Sequence, residues 1–117
     1  HYPIEAAAPT PGAWVGLSEI TRIDDTTFAI LERDNQANAA ARIKRLYVVS
    51  IAGVTPAAVG ETPPLLTKTL LRDLWFEDGF VLEKAEGVLR LPNGNFIVIN
   101  DNDGFGETRV FRIRQDD

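Results

Sequence analysis

Gly87-Val88-Leu89-Arg90-Leu91-Pro92-Asn93-Gly94-Asn95-Phe96-Ile97-Val98-Ile99 is the stretch whose reading decides the fold. Two short apolar runs flank Pro92-Asn93-Gly94, and Asn and Gly both tolerate the positive φ that a tight hairpin turn needs. The spacing predicts a strand over 87–91, a turn, and a strand over 96–99. A polar loop over 101–107 follows, then a last strand over 109–114. The same plan runs upstream: a strand over 17–23, a turn at Asp24-Asp25, a strand over 27–31, a polar loop over 34–41 and a strand over 43–51. At one constant offset Ile20 falls on Val88, Arg22 on Arg90, Phe28 on Phe96, Ile30 on Val98 and Leu31 on Ile99. Strand, turn, strand and polar loop in matching order read as an internal repeat.

The segment between the units is less decided. Leu65 to Leu71 reads as a further strand, and Leu70 to Phe76 equally as the start of a short helix, with Leu70, Leu71, Leu74 and Trp75 on one side. Trp75-Phe76 with Phe80 and Leu82 is expected to cap a core edge, and Trp14 and Trp75 to pack in the core or between sheets.

Composition narrows the function. The chain has 117 residues, 17 acidic against 12 basic side chains, and a net charge of -5, which disfavours binding to a phosphate backbone and so to nucleic acid. No apolar run approaches the roughly 18 residues a membrane-spanning helix needs. There is no cysteine, and His1 is the one histidine, so a Ser-His-Asp triad, a thiolate zinc site and a two-histidine metal site all lack their parts. The sequence starts at His1 and contains no Met, which reads as a processed product or an expressed piece of a longer chain.

Short strands in two tandem antiparallel units predict an all-β fold of β-propeller-like blades. About two blades fill the chain, an incomplete propeller: one unit over 13–53, a linker over 54–64 and a second unit over 65–114. Closing a ring takes at least four blades, so the remainder of the propeller is the expected partner, in the same protein or as a separate chain. A self-contained sandwich or barrel of six or seven strands is the competing fold.

Several runs carry a family likeness. They are Gly16-Leu17-Ser18-Glu19-Ile20, Phe28-Ala29-Ile30-Leu31-Glu32-Arg33-Asp34-Asn35 and Ala41-Arg42-Ile43-Lys44-Arg45-Leu46-Tyr47. A second set is Lys68-Thr69-Leu70-Leu71-Arg72-Asp73-Leu74, Ala85-Glu86-Gly87-Val88, Leu91-Pro92-Asn93-Gly94, Asn100-Asp101-Asn102-Asp103-Gly104 and Thr108-Arg109-Val110-Phe111. Together, from Tyr2 to Ile113, they resemble the phytase-like family known for the esterase-like activity of phytase. The resemblance implies the C-terminal portion of a longer bacterial β-propeller protein, secreted or periplasmic. It departs from a strict repeat at one point. Ser18-Glu19 stands where the second unit has Glu86-Gly87, so the two acidic residues are one position out of register.

The resemblance and the acidic strand-end loops together imply a metal-assisted phosphate-ester hydrolase. Glu32, Glu86 and Asp101 are its candidate catalytic carboxylates. Arg33, Asn35 and Asn102 are the substrate-binding set, and Asp34, Asp101 and Asp103 the ligands of Ca²⁺, a cation that takes oxygen donors. Each residue also has a plainer reading. The loop from Asn100 to Glu107 is not an EF-hand, because Phe105 and Arg112 stand where ligands five and twelve belong; Asx turns bonding their own backbone would explain it as well. Arg33 can form an ion pair within its own sheet, with Asp34 or a neighbouring carboxylate, and Glu86 can bond backbone amides at a blade junction. Arg42, Lys44 and Arg45 read as a solvated strand face. The alternative function is a non-catalytic binding or scaffold subunit of an extracytoplasmic assembly.

Overall fold

The computed structural model describes residues 1–104 and 106–115; Phe105, which bears on the EF-hand comparison, lies outside them. Seven strands form two antiparallel sheets. The first holds β1 (Val15–Arg22), β2 (Thr27–Asp34), β3 (Lys44–Ser50) and β4 (Lys68–Asp73) in that spatial order. The second holds β5 (Lys84–Arg90), β6 (Phe96–Asp101) and β7 (Val110–Ile113). This is the all-β, blade-like architecture the sequence predicts, with two sheets and no closed ring among the described residues.

Local chemistry sets each boundary. Asp24 closes the β1–β2 hairpin by accepting from the amides of Thr26 and Thr27 at 3.0 and 2.8 Å. Gly94, at φ 88, closes the β5–β6 hairpin. The segment with two readings satisfies both in succession. Lys68 to Asp73 is a strand, and Asp73 then caps a five-residue helix, α1 (Leu74–Asp78), by accepting from the Phe76 amide at 3.0 Å. Gly79 ends the helix in the left-handed region. β4 pairs with β3, so the strand in the 65–71 stretch, grouped above with the second unit, adds a fourth strand to the first sheet.

The sheets stack through one core, and side-chain alternation decides which faces meet. From the first sheet come Ala29, Leu31 and Leu46; from the second come Ala85, Phe96, Val98 and Ile113. Leu74 on the helix and Phe80 beyond it fill the seam and are fully buried. Phe80 lies 4.7 Å from Phe111, ring centroid to centroid. The expected aromatic cap is therefore split: Phe80 is core, Leu82 packs against it, and Phe76 is exposed. Trp14 is also a correction, since it is half exposed, its ring held over a guanidinium and not in the core.

Candidate functional site

Two β-bulges build the site. In β1, Leu17 pairs with Glu32 and Glu19 with Leu31, which leaves Ser18 without a partner. In β5, Ala85 pairs with Asn100 and Gly87 with Ile99, which leaves Glu86 out. Ser18 and Glu86 occupy the same place in the two units. The apparent slip between Ser18-Glu19 and Glu86-Gly87 thus has a physical explanation: the extra residue of each sheet is the element that repeats, and its chemical type changes. A bulge re-aims a side chain away from strict alternation. β1 and β5 lie next to one another, so both re-aimed side chains reach the same group.

That group is Arg33, near the end of β2. Its Nε donates to Ser18 Oγ at 3.1 Å and its Nη2 to Glu86 Oε1 at 2.6 Å. The Trp14 ring roofs the guanidinium at 4.7 Å, a cation–π arrangement worth about 0.5–2 kcal/mol. Asn35 holds that roof in place. Its Oδ1 accepts from the Trp14 amide at 3.0 Å, its own amide donates to the Trp14 carbonyl at 3.1 Å, and its Nδ2 donates to the Gly12 carbonyl at 3.0 Å. Gly16 makes room below, because a Cβ there would lie 2.8 Å from Trp14 Cζ3. Gly16→Ala is therefore expected to lift the indole off Arg33, read as a change in tryptophan fluorescence with little loss of stability. Arg33 is 7% exposed and its Nη1 is buried with no hydrogen-bond partner among the described residues. Glu86, by contrast, keeps 38% of its side chain in solvent. Arg33 thus pairs across the sheets with Glu86, and not within its own sheet as the plainer reading expected.

The other candidates lie elsewhere. Glu32 is fully buried on the opposite face of β2, where it accepts from the Tyr2 hydroxyl at 2.7 Å, Lys68 Nζ at 2.9 Å and the Glu5 amide. Asp34 is buried against Lys44. Its carboxylate takes the Lys44 ammonium at 2.8 Å and the amides of Arg42 and Ile43 at 2.8 and 2.9 Å. Burial pushes the Asp34 carboxyl up, but the Lys44 ammonium and those amides outweigh it and hold the carboxyl below its usual range. Lys44 corrects the expectation of a solvated basic face. It is fully buried and also donates to the carbonyls of Asp34, Gln36 and Glu83 at 2.9, 2.8 and 2.7 Å.

Asp101, Asn102 and Asp103 line a cleft of about 270 Å³ with Asn38, Lys84 and Glu107. The turn bonds itself: Asp101 accepts from the Asp103 amide and Asn102 from the Gly104 amide, each at 2.9 Å, and Lys84 pairs with Asp103 at 2.6 Å. Among the described residues no three of His, Asp and Glu come together as a cation set. The Asp34 oxygens are engaged by Lys44 and amides, and Asp103 by Lys84, so Asp34, Asp101 and Asp103 do not form one ready coordination sphere for Ca²⁺, which takes six to eight oxygens. No helix among the described residues is long and apolar enough to cross a membrane.

A family model described as "Phytase-like: Esterase-like activity of phytase" matches residues 1–104. Comparison with curated proteins and with solved structures gave no match.

Proposed function

Because the chain belongs to the phytase-like family, we propose that it forms part of an exported phosphate-ester hydrolase whose reacting groups are Arg33 and Glu86. The observation that carries this reading is the unpartnered, buried Nη1 of Arg33 beside a carboxylate that still reaches solvent. An unsatisfied guanidinium donor in a low-dielectric setting favours an anionic oxygen, and Arg offers the fork that phosphate oxygens fit. Trp14 is half exposed, so a swing of its indole opens Nη1 to a ligand. In the reaction the Glu86 carboxylate takes a proton from water while the water oxygen attacks phosphorus. The ester P–O bond breaks, and the proton passes from Glu86 to the departing alkoxide. Arg33 neutralises charge on the phosphoryl oxygens as it builds.

Turnover of a chromogenic phosphodiester tests this. Glu86→Gln is expected to lower kcat by about 10²–10⁴-fold, with circular dichroism and Tm close to wild type because Glu86 is partly exposed. Arg33→Lys keeps the charge, loses the fork, and is expected to raise KM. Wild-type turnover in Glu86→Gln would sink the assignment. The second reading, a non-catalytic scaffold module, draws on one observation: Arg33 already ties the two sheets together through Ser18 and Glu86. It predicts the reverse result, lost stability in both variants and no turnover in any form of the protein.

A further inference from the structure

Three cations of an acidic chain stand together without a counter-charge. Among the described residues every other basic side chain pairs with a carboxylate or, for Arg42, with backbone carbonyls. Arg90, Arg112 and Arg114 do neither, although the chain carries a net charge of -5. All three gather where the β5–β6 hairpin turns and β7 stops. Arg90 is the last residue of β5, Arg112 pairs with Ile97, and Arg114 follows the end of β7. A Cβ on Gly94 would lie 3.9 Å from Arg90 Nη2 and 4.0 Å from Gln115 Cγ, so the turn, β5 and the chain leaving β7 meet there. Asn93, Asn95, Arg112, Arg114 and Gln115 line a cleft of about 430 Å³. Of these only Arg112 belongs to a strand, so the cleft lies at the end of the sheet and not on a face that another blade covers. The two asparagines have spent their oxygens. Asn93 Oδ1 accepts from the Asn95 amide at 3.1 Å, and Asn95 Oδ1 from the Gln115 amide at 3.3 Å. Asn95 is only 8% exposed, which fixes its carboxamide. Each asparagine is left with an Nδ2 that has no acceptor among the described residues, and a guanidinium offers donors alone. No carboxylate lines the cleft.

We infer that this cleft binds a phosphoryl group through the guanidiniums of Arg112 and Arg114 and the Nδ2 groups of Asn93 and Asn95, with Arg90 adding positive charge beside the turn. Guanidinium forks fit carboxylate and phosphoryl oxygens alike, and charge separates the two. A carboxylate brings a single charge, whereas a phosphoryl group carries about -1.5 to -2 near pH 7 and so matches the paired arginines of the cleft. Its arrival also relieves the mutual repulsion of three like charges that no neighbouring acid offsets. The rest of the surface is acidic on balance and repels such an ion, which confines it to this end of the molecule. The site is separate from Arg33 and Glu86. Glu86 lies toward the other end of β5, with roughly 13 Å of strand between it and Arg90. A phosphoryl group held here is therefore anchored out of reach of the Glu86 carboxylate.

Titration of the whole ¹⁵N-labelled chain with inorganic phosphate at constant ionic strength, followed by NMR, tests this. The side-chain amide signals of Asn93 and Asn95 are expected to shift saturably. Arg114→Gln is expected to weaken the fitted Kd about tenfold, and Arg112→Gln with Arg114→Gln to abolish the shifts. Both arginines are exposed, and Arg114 lies outside the strands, so circular dichroism should not change. Arg33→Lys keeps the cleft intact and is expected to leave the same shifts in place, which separates this site from the Arg33–Glu86 pair. Ethyl phosphate in place of inorganic phosphate identifies the source: equal shifts mark recognition of an esterified phosphoryl group, and shifts with inorganic phosphate alone mark a site for the free ion, either of which upholds the inference. A wild type whose asparagine signals do not saturate overturns it. So do shifts that survive in the double variant, or acetate that produces them as well as phosphate does.

Discussion

Lys44→Met is expected to cost about 3–5 kcal/mol of folding stability, because it leaves a buried carboxylate without its cation. Lys44 has no exposed surface, and its ammonium is shared among the Asp34 carboxylate and the carbonyls of Asp34, Gln36 and Glu83. Methionine fills most of the same volume, so the loss is one of charge and hydrogen bonds and not of packing. The Glu83 contact ties the start of β3, and through the shared ammonium the end of β2, to the chain entering β5, and the loss is therefore felt at the seam between the sheets. A domain of ordinary stability has about 5–15 kcal/mol in hand, and urea unfolding should show a large drop in midpoint. A change below about 1 kcal/mol would mean that Asp34 reaches water in the variant and that the pair is not sealed. Acid provides an independent reading. The Asp34 carboxyl is held below its ordinary value in the folded state. Its contribution is then fully present above the unfolded value of about 3.9 and is lost as pH falls through the lower folded one. Asp34→Asn is expected to flatten that part of the acid-unfolding curve, and an unchanged curve would assign the acid sensitivity to other carboxylates.

The strand pattern was legible because most strands have a solvent side or an apolar run bounded by turn residues. Phe28-Ala29-Ile30-Leu31 and Phe96-Ile97-Val98-Ile99 announce β2 and β6, and Asn93-Gly94 announces the hairpin between β5 and β6. The sequence pattern ends β2 at Leu31, but the strand runs on through Glu32 and Arg33 to Asp34, polar residues that are buried. Their partners, Tyr2, Lys68, Ser18, Glu86 and Lys44, are remote in sequence, and no local pattern reports them. The site was legible in its residue types and hidden in its grouping. Arg33 and Glu86 were singled out, yet their meeting depends on a bulge in each first strand, and a bulge breaks the alternation that reveals strands. One signal lies in the repeat: Ser18 and Glu86 hold the same place in it, although only one of them is acidic. The burial of Lys44, like that of Glu32, has no local signal. Composition alone places a lysine on a strand face, and only the three carbonyls and one carboxylate around it make burial tolerable.

Glu32→Leu is expected to release the N-terminal strap and to cost about 3 kcal/mol, near the lower end for breaking a buried ion pair. Lys68 loses its second partner as well, since Glu5 at 2.9 Å lies on the strap, but with the strap released the Lys68 ammonium faces water, which limits the loss. Glu32 itself has no exposed surface and joins three groups from two parts of the chain: the Tyr2 hydroxyl and Glu5 amide of the strap, and Lys68 of β4. The strap answers with contacts of its own, since Glu5 accepts from the Tyr47 hydroxyl at 2.8 Å and the N-terminal amine donates to the Pro64 carbonyl at 2.7 Å. Tyr2 is the built-in reporter. Burial, then its hydrogen bond to Glu32 and the carboxylate's charge, push the Tyr2 phenol far above its ordinary value. In the wild type it should therefore stay protonated through the range where an exposed tyrosine ionises, near 10. In Glu32→Leu the freed ring should ionise there, seen as added phenolate absorbance in an alkaline titration, and limited proteolysis should cut within the first residues sooner. A Tyr2 that still resists ionisation in the variant would show that burial under the rest of the strap, and not the Glu32 carboxylate, holds residues 1–5 against β2 and β3.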